Sequence, residues 1–140
     1  MRVLVDTNVV LDVLQGRPAF VNDATLIFDL VERGNITGLL CATTITTLAY
    51  LAGLQHKAAG KQAATKQIRQ LLVLFEVAPV TRAVLDAALA SKTSDFEDAV
   101  LAEAALQAGA QAIITRNLGD FTHSPVRAYA PAQWLAMHRT

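Results

Sequence analysis

The chain has 140 residues, which is the size of one ordinary domain and leaves no room for a second independently folded catalytic module. Twelve Lys and Arg balance twelve Asp and Glu, so binding of nucleic acid through a bulk positive field is excluded, although a local patch is not. With 53% hydrophobic and only 17% charged residues, the composition supplies a core and excludes general disorder.

The single cysteine, Cys41, has no partner for an intramolecular disulfide, and His56, His123 and His138 are too scattered for a zinc site. These features point to a reducing, cytoplasmic setting. The apolar start Met1 to Val5 meets Asp6 well before a signal-peptide core is complete, and no stretch has the length of a membrane span.

In chain order, Arg2–Val5 reads as a first strand and Asn8–Leu14 as a helix broken at Gly16, Arg17 and Pro18. A helix over about 22–33 carries Leu26, Ile27, Leu30 and Val31 on one stripe, with Gly34 as its stop. Ile36–Ala42 is the next strand. Helical spacing then runs from Thr44 to about Gln55 and again over Lys61–Phe75, with a Gly- and Ala-rich hinge between them. Glu76–Pro79 is a short strand. Thr81 and Ser94 are N-cap candidates for helices through Leu89 and Ala108, the second stopped by Gly109. Ala112–Thr115 is a strand, followed by a loop, an extended piece near Arg127 and a helix from about Ala132. Apolar strands alternating with helices predict one domain: a three-layer α/β/α sandwich on a mostly parallel sheet of four to five strands.

In such sheets chemistry gathers at the carboxyl ends of the strands. Asp6 follows the first strand, with Asp12 further along the helix. Asp95, Glu97 and Asp98 open the helix after Ser94. Asn117 and Asp120 follow the strand that ends at Thr115. Each has a plainer role. Asp6 suits an N-cap, Ser94 and Glu97 have the spacing of a capping box, and Asp95 suits the helix dipole. Asp98 is harder to explain away. With Asp95 it shares the side of Ala102, Ala105 and Leu106, while Glu103 and Gln107 mark solvent. Carboxylates leaning toward a packed face need a cation, a hydrogen-bond network or a wet cleft. Asp6, Asp98, Asp95 and Asp120, with Asn117 beside them, form a hard-oxygen set suited to Mg²⁺ or Mn²⁺, and metal-assisted phosphodiester hydrolysis is the chemistry that fits.

The runs Met1-Arg2-Val3-Leu4-Val5-Asp6-Thr7-Asn8, Asp95-Phe96-Glu97-Asp98-Ala99 and Ile114-Thr115-Arg116-Asn117 with Asp120-Phe121 together resemble the acidic motifs of PIN-domain proteins, in the right order along the chain. The resemblance extends to the single-domain VapC-like toxins, metal-dependent ribonucleases paired with an antitoxin. It implies Asp6 and Asp98 as principal metal ligands, RNA as substrate and an antitoxin as partner. Two positions depart from the pattern. Thr47 stands where the family usually has Glu on the helix after the second strand, and Asn117 stands where Asp is common. Asp95 is the expected compensation, as an outer or water-mediated ligand.

Between Glu32 and Glu76 there is no acid, whereas Arg33, Lys57, Lys61, Lys66 and Arg69 give the segment a charge of +5, so the rest carries −5. Lys61, Lys66 and Arg69 are candidates to hold phosphates, as is Arg116 beside the acids. Only 6% of residues are aromatic, which argues against base stacking as the main source of affinity. An apolar groove between Phe20 and Phe28 on one side and the helix around Tyr50 on the other is a candidate seat for an antitoxin segment, and a homodimer is compatible with the sequence. The rival readings are a PIN-fold RNA- or protein-binding module that no longer cleaves, and a DNA-directed nuclease. No dinucleotide-binding or P-loop motif and no hydrolase triad is present.

Overall fold

The computed structural model describes residues 1–55 and 60–138. Its elements are β1 (Arg2–Val5), α1 (Thr7–Leu14), α2 (Val21–Glu32), β2 (Thr37–Cys41), α3 (Ala42–Gln55), α4 (Gly60–Leu74), β3 (Glu76–Ala78), α5 (Arg82–Ala90), α6 (Phe96–Gln107), β4 (Ala112–Ile114), a 3-10 turn (Leu118–Phe121), β5 (Ala128–Tyr129) and α7 (Pro131–Met137). Lys57 of the cationic segment, His56 and most of the predicted hinge lie outside the described residues.

The five strands form one wholly parallel sheet in the order β3-β2-β1-β4-β5. Successive strand residues face opposite sides, so each strand feeds two cores. Val3 and Val5 of β1, Leu40 of β2 and Ala112 and Ile114 of β4 pack toward α1, α2, α3, α4 and Trp134 of α7. Leu4, Leu39, Cys41 and Ile113 pack toward α5, α6 and Phe121. This is the expected three-layer α/β/α sandwich. Continuous apolar strands, rather than alternating ones, are what burial on both faces requires. Cys41 is fully buried as a small core residue. No helix among the described residues is long and apolar enough to cross a membrane.

Two glycines illustrate the fit. Gly34 ends α2 with φ at 75°, a conformation that costs other residues. At Gly38 a Cβ would sit 2.6 Å from the Phe75 ring and 2.8 Å from Val31, so β2 and the two helices close only over a residue with no side chain.

The helix stripes need correction in detail. Leu26, placed by spacing on the buried face of α2, is 48% exposed, and Ala24, Ile27 and Val31 carry the α2 contact. A wider difference concerns α6, which is buried around most of its circumference through Ala99, Val100, Leu101, Ala102, Ala104 and Ala105. Its small side chains let the sheet, α5 and the 3-10 turn approach from several sides. Glu103 therefore does not mark open solvent: it is half-buried, and its Oε2 has no hydrogen-bond partner among the described residues.

Candidate functional site

After β1 the chain moves to β2 and β3 on one side, then crosses to β4 and β5 on the other. The order thus reverses between β1 and β4, and the carboxyl ends of these two strands are where ligands bind in sheets of this kind. Asp6 stands at this point, directly after β1. Its backbone N–H donates to the Ile114 carbonyl of β4 at 2.9 Å, so the sheet ladder itself holds the residue in place.

The Asp6 carboxylate is 8% exposed and densely engaged. Oδ1 accepts from the Thr7 N–H at 2.7 Å, which makes Asp6 the N-cap of α1. Oδ2 accepts from the Thr115 hydroxyl at 2.8 Å and the Asn8 amide at 3.2 Å. Capping and a place at the centre of the site are therefore compatible roles. Burial pushes its carboxyl pKa up, the Thr115 and Thr7 hydrogen bonds oppose that, and the charges of Asp120 and Glu97 add to the rise.

The second acid arrives from the start of α6. Asp95, not Ser94, is the N-cap: its Oδ1 accepts from the Asp98 N–H at 3.0 Å. The Ser94–Glu97 capping box is therefore not formed. Ser94 and Asp95 are both residue types that cap helices well, and Asp95 takes the position. This one-residue shift frees Glu97, whose charge raises the pKa values of both Asp6 and Asp98. Glu97 is thus a member of the acidic centre that a capping-box reading of the sequence hides. Asp98 itself is half-buried, and its pKa is pushed up to about 6 by desolvation and then by Asp95, Asp120, Asp6 and Glu97.

Asp120, exposed on the 3-10 turn, bears on both central acids. The exposed Asn117 precedes that turn, and its backbone N–H donates to Thr115 Oγ1 at 3.0 Å. The structure thus brings Asp6, Asp95, Glu97, Asp98 and Asp120 together from three separate segments. The charges that act most on Asp6 and Asp98 are all negative, and none of the five acids is in an ion pair among the described residues.

From α3, the residue that reaches this corner is Thr44, 1% exposed, with its hydroxyl oxygen 2.9 Å from that of Thr7. Thr47 is half-buried further along the helix. Both are neutral, so α3 gives the site no carboxylate. Among the described residues no three His, Cys, Asp or Glu side chains are close enough to cage a metal ion by themselves. That donor set still fits Mg²⁺, which is commonly held by one or two carboxylates and otherwise by water. It does not fit an ion enclosed wholly by protein.

The basic candidates separate. Arg116 is turned away from the acids toward Asp12, which is fully buried: Nε and Nη2 donate to the two Asp12 oxygens at 2.7 and 3.2 Å. Arg17 contacts the same carboxylate at 3.4 Å. Lys61, Lys66 and Arg69 line an open depression of about 730 Å³ along α4 that includes none of the acids. They form no ion pair among the described residues. The proposed aromatic groove is not assembled: Phe28 packs edge-on against Phe75 in the core, Phe20 lies under Arg116, and Tyr50 is 67% exposed.

The PIN domain family model matches residues 2–119. No curated protein sequence matches significantly. Three solved structures show the likeness of fold. The structure of FitAcB from Neisseria gonorrhoeae superposes with a TM-score of 0.73 at 23% identity, covering 93% of this chain and 98% of that one. VapBC2 from Rickettsia felis, bound to a DNA fragment from its promoter, gives 0.70 at 16% over the same shares. A toxin-antitoxin complex from Klebsiella pneumoniae gives 0.67 at 21%, covering 92% and 97%. The match over most of its length establishes that this chain belongs to the PIN domain family.

Proposed function

We propose that the protein is a divalent-metal-dependent ribonuclease and the toxin of a toxin–antitoxin pair. The observation that carries the reading is that acids from three segments act on Asp6 and Asp98 at the strand-order reversal, with no ion pair to any of them among the described residues. Such a concentration of like charge is costly in a folded chain unless a cation is its working partner. Asp6 and Asp98 would hold Mg²⁺ or Mn²⁺, with Asp95, Asp120 and Asn117 reaching it directly or through water. When bound, the ion supplies a hydroxide nucleophile at neutral pH and offsets charge on the phosphate under attack. Asp6 presents a fixed carboxylate because Thr115, Asn8 and Thr7 each hold one of its lone pairs. Lys61, Lys66 and Arg69 supply a phosphate-binding strip remote from the cut.

The antitoxin partner is supported by the fold neighbours, among them a toxin-antitoxin complex. Association of two copies of the chain and a cytoplasmic location complete the reading. One observation favours a second reading. With α3 contributing threonines in place of an acid, and no three-carboxylate cage, a binding module of PIN fold that no longer cleaves is the alternative.

The test is cleavage of structured RNA, single-stranded DNA and duplex DNA in Mg²⁺ and in Mn²⁺. RNA is expected to be cut, with Asp6→Asn and Asp98→Asn each lowering the rate roughly a hundredfold or more. Intact RNA under all conditions would leave the binding module. Preferential cutting of DNA would transfer the activity to the other nucleic acid.

A further inference from the structure

A second cavity, of about 370 Å³, opens between the start of α2 and the start of α7. It is lined by Phe20, Asp23, Arg116, Ala130, Pro131 and Ala132. The guanidinium of Arg116 lies 4.0 Å over the Phe20 ring. Two of its nitrogens are fixed on the buried Asp12, which holds the group rigid. Nη1 makes no hydrogen bond among the described residues, so a donor edge remains for a ligand. Asp23 is exposed and in no ion pair among the described residues. Phe20 remains 42% exposed despite its cationic cover. The cavity therefore offers apolar walls, an aromatic ring, one immobilised cationic donor and one unpaired carboxylate acceptor.

These features match a flat heterocycle that carries acceptors on one edge and adjacent donors on another. Among the four RNA bases, guanine meets that description: O6 and N7 accept from an arginine, while N1–H and the 2-amino group donate side by side to a carboxylate. The cavity is tied to the acidic centre through the backbone. Thr115, which donates to Asp6, is followed directly by Arg116, whose N–H donates to Asn8 Oδ1 at 3.3 Å. The cavity's arginine is thus the residue directly after the threonine that holds Asp6, on the same strand end as the acidic centre. We propose that this cavity is a base subsite for an unpaired guanine of the RNA substrate, an inference that rests on the ribonuclease reading.

The test titrates the 5′-monophosphates of guanosine, adenosine, cytidine and uridine into the full chain without metal, in parallel with cleavage of RNAs that differ in one unpaired base beside the cut. The guanosine nucleotide is expected to bind at least about tenfold more tightly than the others. Phe20→Ala should weaken all four by about tenfold, and Asp23→Asn should remove the preference for guanosine. Equal or undetectable binding of the four, or the same preference in both variants, would overturn the subsite. Occupation of the cavity by a partner-protein segment, with no response to guanosine nucleotide, would also overturn it. Metal-dependent RNA cleavage without base preference would sink the subsite alone. Selective guanosine binding by a chain that cuts no RNA would sink the ribonuclease reading and, with it, the cavity's role on an RNA substrate, leaving only a guanosine-binding site.

Discussion

Arg116 and Asp12 form a two-point ion pair at 2.7 and 3.2 Å around a carboxylate with 0% exposure. A cation only four residues before Asp120 is thus neutralised by an acid outside the acidic centre. The pair fixes the segment after β4, from which the Thr115 hydroxyl donates to Asp6 and the Arg116 N–H donates to Asn8 of the turn after β1.

Asp12→Ala should accordingly destabilise the fold by leaving two arginines without their shared partner. The expected loss is about 2–3 kcal/mol. That lies below the range for a wholly buried pair, because the Arg116 and Arg17 side chains are 23% and 38% exposed. Chemical denaturation measures it, and an unchanged midpoint would contradict the clamp.

Thr115→Val keeps the shape of a fully buried side chain and removes the hydroxyl that donates to Asp6. Since that hydrogen bond lowers the Asp6 pKa, its loss should raise the pKa further and weaken metal binding about tenfold to a hundredfold. A purely structural role would not shift the pH profile. The expected signature is a metal-binding curve displaced to higher pH, read by Mn²⁺ titration.

Stability without metal should fall as pH rises. Asp98 has a folded pKa of about 6 against an ordinary value of 3.8, so the folded state holds this proton more tightly than the unfolded one. The contribution is fully present below pH 3.8 and lost as pH rises through about 6, and Asp6 acts in the same direction. Thermal unfolding in chelator should show Tm declining across this window. Asp98→Asn should flatten the decline, and Mn²⁺ should reverse it at neutral pH. A Tm that climbs between pH 4 and 6 and is unaffected by Asp98→Asn would contradict the assignment.

The α4 cations should act on affinity rather than on chemistry. Lys66→Ala and Arg69→Ala are each expected to weaken RNA binding similarly across sequences. Each should also reduce the salt dependence of log K by about one unit of slope. Fluorescence anisotropy at several salt concentrations checks this. A slope identical to that of the unaltered chain would remove the strip from the RNA path.

Much of this was legible in the residues themselves. Continuous apolar strands separated by helix-length patterns determine a parallel sheet covered on both faces, because only burial on both sides accounts for runs such as Val3-Leu4-Val5 and Ala112-Ile113-Ile114. Asp6, Asp98 and Asp120 could be singled out because acids directly after apolar strands or at a helix start need a reason to be there. What the sequence left undecided depends on relationships between distant segments. Ser94 and Asp95 have similar capping propensity, and only the folded chain shows that Asp95 caps α6. Arg116 and Asp12 are 104 positions apart, and only the pairing of β1 with β4 brings them into contact. The same pairing sets Phe20 under Arg116 and opens a cavity against α7. Local propensity and periodicity act over a turn or two of chain, whereas ion pairing and cavity shape depend on which strands become neighbours, and that is settled only when the sheet closes.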